Sequence, residues 1–175
     1  FNVWLDDRDQ SAWLMPIVDA LQAFTQAGNQ VYFLAGNRDF VLGQRFLNRF
    51  GGQYLQEPHF MMWQGLRLRL EHGDSLCTDD VSYQRFKKII RNPLVLGVLK
   101  SLPFAFKQKL GSFFRSKSRE HQSQNHYQPI DVNMAEVQRQ MQGVDVLIHG
   151  HTHRPEVQAL SAMQTRIVLG DWRED

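Results

Sequence analysis

From residue 13 the apolar positions Trp13, Leu14, Ile17, Val18, Leu21 and Phe24 recur at steps of three and four, which predicts a helix with one apolar face. Ser11 stands where it can cap that helix, and Ala27-Gly28-Asn29 stops it. Val31 to Leu34 is an unbroken apolar run that reads as a buried strand, and Val41 to Phe50 as a short amphipathic helix ending at Gly51-Gly52. Phe60 to Trp63 and Leu66 to Leu70 flank Gln64-Gly65, the pattern of a hairpin. Asp131-Val132-Asn133 is placed to cap a helix through Val137 and Met141. Val144, Val146, Leu147 and Ile148 then mark a buried strand, and Arg166 to Leu169 a last one. No internal repeat interrupts this alternation of strand and helix, which argues for an α/β layer structure.

Between residues 81 and 130 the composition changes. From Arg85 to Arg119 there are ten lysines and arginines and no acidic residue, interleaved with Ile89, Ile90, Leu94, Val95, Leu96, Val98, Leu99, Phe104 and Phe106. Two or three helices are expected there, broken at Asn92-Pro93, Pro103 and Gly111, with a polar tail from Ser116 to Gln128. The expected organisation is a core over residues 1–80, an inserted helical lid over 81–130, and the rest of the core over 131–175. A length of 175 residues at 42% hydrophobic content suits one such core. The apolar-leaning run Pro93 to Phe106 is interrupted by Gly97, Lys100 and Pro103, too soon to span a bilayer. Neither a signal peptide nor an initiating methionine is visible, and the abrupt Phe1-Asn2-Val3-Trp4 is read as the start of a fragment.

The candidate chemistry lies at three strand ends: Gly36-Asn37-Arg38-Asp39, His72-Gly73-Asp74, and His149-Gly150-His151-Thr152-His153-Arg154-Pro155. In open α/β sheets ligands gather beyond the carboxyl ends of strands. The single cysteine, Cys77, excludes a disulfide framework and a thiolate zinc cage, leaving oxygen and nitrogen donors. His151 and His153, two residues apart, would share a face in extended backbone, and the rival reading is a solvated histidine-rich loop. Asn37 is either a turn asparagine or a neutral oxygen ligand suited to hard cations. A mixed asparagine and histidine set points to manganese or a similar ion. His72 is read as a ligand and Asp74 as a group that orients one. Arg38 is either a bidentate fork for phosphate or half of a surface pair with Asp39. His149, on the opposite side of its strand, is read as support or packing. His59, His121 and His126 have no such setting.

Taken together, these three motifs in this order resemble the calcineurin-like metallophosphoesterases. Arg38 occupies the position where that family usually has a catalytic histidine after its asparagine. With His72 to Asp80, Asp131 to Asn133 and His149 to Pro155, this is similar to the branch that cleaves the pyrophosphate of UDP-2,3-diacylglucosamine in lipid A biosynthesis. The resemblance runs from Phe1 to about Trp172. It implies an α/β sandwich of mixed β-sheets flanked by helices, with the inserted lid, and a hydrolase releasing UMP and 2,3-diacylglucosamine 1-phosphate. It implies two Mn²⁺ ions and a peripheral position on the cytoplasmic face of the bacterial inner membrane. Asn37, His72 and His151 would hold one metal and His153 the other; Asn37, Arg38, Asp80, Ser118 and His151 would face substrate, with Arg38 and His151 catalytic. Tyr83 and Arg115 are further candidates for that pocket. Asn125 stands where the family commonly has a lysine, and Gln122 at another contact position. The family's aspartate-x-histidine and glycine-aspartate motifs would precede Phe1, so the expectation is an N-terminally truncated chain that binds metal poorly.

Two other functions stay open on the residues: a phosphoesterase for soluble nucleotides or phosphoproteins, and a binding module with a vestigial metal site, its basic stripe on membrane or nucleic acid. The resemblance implies no nucleic-acid partner and no protein partner.

Overall fold

A computed structural model of the chain describes residues 4–112 and 131–171. They fall into two compact units, Phe1–Leu55 with Lys88–Tyr127 and Gln56–Lys87 with Gln128–Asp175. In the first unit, helix α1 (Met15–Gln26), strand β1 (Tyr32–Leu34), the single-turn helix α2 (Gln44–Leu47) and strand β2 (Gln53–Leu55) follow one another, and β1 and β2 pair in parallel. Trp4, Leu14, Val18, Leu42, Phe46, Leu47 and Phe50 form its core.

Several boundaries differ from the sequence reading. Helix α1 begins at Met15 with Pro16 in its first turn, where proline's missing N–H costs nothing. Ser11 does not cap it; the Ser11 hydroxyl bonds Asp9 instead. The buried face of α1 is narrower than its apolar pattern, since Leu14 and Val18 are buried while Trp13, Ile17 and Phe24 are exposed. Residues 41–50 hold only one helical turn, at whose start Gly43 N donates to both Asp7 carboxylate oxygens, at 3.0 and 3.1 Å.

In the second unit, β3 (His59–Trp63), β4 (Leu66–Glu71), β5 (Val146–His149), β6 (Glu156–Ala159) and β7 (Thr165–Val168) form a mixed sheet in the order β3-β4-β5-β7-β6. The hairpin expected at Gln64-Gly65 joins β3 to β4, and both turn residues have positive φ, 50° and 81°. Such a two-residue turn matches the right-handed twist of the strands it joins. Strand β6, antiparallel to β7, has no counterpart in the sequence reading: Glu156-Val157-Gln158-Ala159 carries too few apolar residues to mark a strand. The middle pairs β4–β5 and β5–β7 are parallel. Helix α6 (Met134–Gln140) contributes Val137 to a core with Leu76, Cys77, Val132, Met141, Val144 and Leu147. Asn133 caps α6 as expected, its side chain accepting from Glu136 N at 3.1 Å.

The described part of the basic segment is helical: α3 (Val81–Ile90), α4 (Pro93–Ser101) and α5, residues 104–112. The breaks fall at Asn92-Pro93 and Pro103, and the Asn92 side chain caps α4 by accepting from Leu94 N at 2.9 Å. Gly111 does not break α5, which continues through residue 112. Neither α3 nor α4 buries a residue.

Candidate metal centre

Strands β4 and β5 end side by side, and the residues that leave them make the centre. Glu71 lies opposite His149 in their parallel register, so His72 and Gly150-His151 emerge at the same sheet edge. Gly150 N donates to the His72 carbonyl at 3.0 Å, tying the two exits together. Gly73 then turns with φ of 103°, a conformation that favours glycine, and a Cβ there would come within 2.6 Å of His149 Nδ1. The extended backbone expected for His151 and His153 is absent: both have left-handed φ, 68° and 53°. Local turns, rather than the pleat of a strand, direct their rings.

His72 Nε2 and His151 Nδ1 face each other at 3.1 Å, with the rings edge to face and centroids 4.9 Å apart. Burial, with some help from neighbouring His153 and against the pull of Asp74, lowers the pKa of His151 and favours the neutral imidazole that ligates metals. Two nitrogens held by one ion at about 2.1 Å, roughly at right angles, stand about 3 Å apart. The spacing and chemistry of this pair therefore fit a divalent cation. Among the described residues no group of three or more His, Cys, Asp or Glu side chains is gathered to hold a metal ion.

His153 is exposed, its Nδ1 3.7 Å from Asp171 Oδ2. Between the two histidines, buried Thr152 Oγ1 has no hydrogen-bond partner among the described residues. His149 points the other way and is fully buried. Arg166 Nε donates to its Nε2 at 2.9 Å, and its Nδ1 lies 2.9 Å from the Gly150 carbonyl oxygen.

Asp74, fully buried, sits one turn beyond His72. Burial works to raise its pKa, but Lys87 at 2.7 Å and the Tyr83 hydroxyl at 2.5 Å outweigh it and hold the carboxyl below its ordinary range. Tyr83 also lies beside the His151 ring, with centroids 6.1 Å apart and the planes 27° from parallel. Gln84, next on α3, donates to the Asp74 and Cys77 carbonyls at 2.7 and 3.0 Å. Asp80 caps α3, accepting from Tyr83 N at 3.0 Å. Burial foremost, and then nearby Asp74, Asp131 and Asp80, push the Cys77 thiol up to about 12, so it stays protonated and is no nucleophile.

Asn37 and Arg38 belong to the first unit, on the turn after β1. Asn37 is half-buried and Arg38 exposed. The surface pair with Asp39 does not form: Asp39 Oδ1 accepts from Gly36 N at 2.6 Å, and burial raises the Asp39 pKa. Arg115, Ser118, Gln122 and Asn125 lie outside the described residues.

Sequence reasoning missed three contributors. Glu57 accepts from His72 N at 2.7 Å but is far from it in sequence. Lys87 was one cation among ten, although its spacing of four from Tyr83 places both on one helix face. Arg166, on β7, shares its buried face with Val168, whereas Ile167 points to the other face.

A family model for calcineurin-like phosphoesterases matches residues 4–155. Among curated proteins, the UDP-2,3-diacylglucosamine hydrolase of Ectopseudomonas mendocina (strain ymp) is 42% identical over 98% of this chain and 73% of its own length. Proteins of the same name from Pseudomonas savastanoi pv. phaseolicola and Pseudomonas fluorescens (strain SBW25) are 40% and 39% identical, over 98% of this chain and 71% of theirs.

Proposed function

Because this chain belongs to the calcineurin-like phosphoesterase family, we propose that it is a metal-dependent hydrolase of UDP-2,3-diacylglucosamine, releasing UMP and 2,3-diacylglucosamine 1-phosphate. The observation that carries the reading is the facing pair of imidazole nitrogens, His72 Nε2 and His151 Nδ1, 3.1 Å apart at a parallel sheet edge, in a chain 42% identical to a hydrolase so named. Bound divalent cations, manganese in this proposal, supply the charge that activates water and clamps phosphoryl oxygens. His72 offers Nε2 and His151 Nδ1 as ligands, and exposed His153 is the candidate for a second ion. In the first unit Asn37 offers a neutral oxygen, and the exposed Arg38 fork offsets charge growing on the phosphoryl group. Tyr83, held by Asp74, walls the site beside the His151 ring. Asp80 is a proposed substrate contact whose first carboxylate oxygen is engaged by the α3 cap. Ser118 completes the proposed set.

Residues 81–130 are proposed as a lid for the acyl chains and as the seat of a peripheral attachment to the cytoplasmic face of the inner membrane. The described part suits it. Ile89, Leu94 and Val98 are 63%, 81% and 62% exposed, among Arg85, Lys88, Lys100 and Lys109. Helices that combine apolar and basic faces lie well at an anionic interface. No described helix is long and apolar enough to cross a membrane.

The test is UMP release from UDP-2,3-diacylglucosamine by the full-length protein, after chelation and after Mn²⁺ is restored. Hydrolysis is expected only with metal, and faster on the diacylated substrate than on UDP-glucose. Preference for a soluble diester, or metal-independent turnover, would contradict the reading.

A further inference from the structure

One face of the five-stranded sheet carries polar residues where an apolar layer would be expected. Arg69 and Glu71 on β4, His149 on β5 and Arg166 on β7 all point to it and are all buried. Arg69 pairs with Glu71 through both its Nε and Nη2, at 3.0 and 3.2 Å, and Ser75 donates to the same carboxylate at 2.8 Å. Arg166 donates to His149 Nε2 and Gln158 Oε1, both at 2.9 Å, and its Nη1 lies 3.7 Å from Glu156 Oε2. Burying an arginine costs free energy unless its donors are used, and here one of them is spent on an imidazole nitrogen.

That contact has a consequence for the metal centre. A guanidinium can only donate, so His149 Nε2 must accept, and the ring proton of a neutral His149 then sits on Nδ1. From Nδ1 it is donated to the Gly150 carbonyl at 2.9 Å. The same nitrogen lies against Gly73, where a side chain would collide with it. The His149 ring is thus wedged between the glycine that follows His72 and the glycine that precedes His151.

We propose that Arg166 is a positioning residue that locks His149 as its Nδ1–H tautomer, and that this ring sets the separation of His72 and His151. The inference rests on the reading of His72 and His151 as metal ligands, and it adds a device in the next layer that fixes the turns carrying them. The other tautomer would set two donors, Arg166 Nε–H and His149 Nε2–H, against each other and remove one of the two hydrogen bonds that the Gly150 carbonyl accepts, the other coming from Thr152 N at 2.8 Å. The turn before His151 would then lose its side-chain tie to the sheet and keep only its backbone bonds, Gly150 N to the His72 carbonyl and Thr152 N to the Gly150 carbonyl.

Long-range ¹H–¹⁵N spectra of the metal-free full-length protein read the tautomer directly. His149 is expected to show a protonated Nδ1 and a bare Nε2; a protonated Nε2 overturns the proposal, and no variant is needed to learn it. Mn²⁺ titration, followed by the electron-paramagnetic signal of the free ion, then reads the effect on the centre. Arg166→Met is expected to weaken binding several-fold, less than the roughly tenfold or more that loss of a direct partner of a ligating histidine costs, because Arg166 acts through His149. Arg166→Lys, which can still donate to Nε2, should recover most of it. On a His149→Asn background, where no tautomer remains to be chosen, Arg166→Met should add little. A folded Arg166→Met protein that keeps both the Nδ1–H tautomer and parental Mn²⁺ affinity overturns the proposal. His151→Ala in the same titration separates the two ideas: unchanged Mn²⁺ binding there would sink the ligand reading, whatever Arg166 does.

Discussion

Asp74 shows how much of the centre depends on a residue that ligates nothing in the proposed set. Its carboxylate is fully buried and holds Lys87 and Tyr83, so Asp74→Ala would strand a largely buried ammonium. The expected loss is about 3 kcal/mol in urea unfolding, the scale for breaking a buried pair from one side. Tyr83→Phe removes one charge-assisted hydrogen bond and should cost about 1.5 kcal/mol. A second acid, Asp6, is buried against Lys107 at 2.6 Å and bonded twice by the Arg8 side chain. The Arg8 hydrogen bond foremost, with Lys107 and against burial, holds its carboxyl well below the usual range. Because the folded pKa lies below the unfolded one, its contribution is fully present above about pH 4 and fades as pH falls beneath that. Asp6→Asn should therefore lower the midpoint of thermal unfolding at pH 7, and the gap to the parent should narrow steadily below pH 4. A constant gap would contradict the assignment. At this scale the sequence revealed residue types and strand ends, which were enough to single out His72, Asp74 and His151. It could not reveal Glu57 or Arg166, whose contacts are made across 15 and 17 residues by sheet register.

Among the elements, those with local causes were legible and those made by pairing were not. The β3–β4 hairpin follows from Gln64-Gly65 between apolar runs, and the start of α6 from the Asn133 cap. Proline and asparagine marked the break between α3 and α4. By contrast β6 and β2 exist because a neighbour offers them an edge, and neither has an apolar pattern of its own. The apolar face of α1 was read too wide because periodicity counts hydrophobic positions without saying what packs on them. Two measurements belong here. Gly65→Ala places a side chain at φ of 81° and should cost about 1 kcal/mol, seen as a lower denaturant midpoint at unchanged slope. For the lid, Leu94→Asp with Val98→Asp replaces two of the most exposed apolar side chains on α4. Sedimentation with anionic vesicles should fall several-fold while thermal stability holds, since neither residue is buried. Equal sedimentation would remove α4 from the membrane contact.

Seen as a whole molecule, the chain is two compact units, each with its own core. The family and its chemistry were legible because motifs are short and sit at strand ends. Register explains why they work: β4 and β5 run parallel and finish together, so residues 79 apart in sequence, His72 and His151, meet at 3.1 Å. Sequence alone could state that both are present, but the distance is a product of the sheet. The central claim is that this pair holds a catalytic cation. The most direct test compares His151→Ala with the parent full-length protein in Mn²⁺-dependent release of UMP from UDP-2,3-diacylglucosamine, with Mn²⁺ affinity measured on the same samples. A folded His151→Ala protein should lose at least a hundredfold in kcat/KM and bind Mn²⁺ more weakly. Parental turnover and parental affinity in that protein would contradict the account.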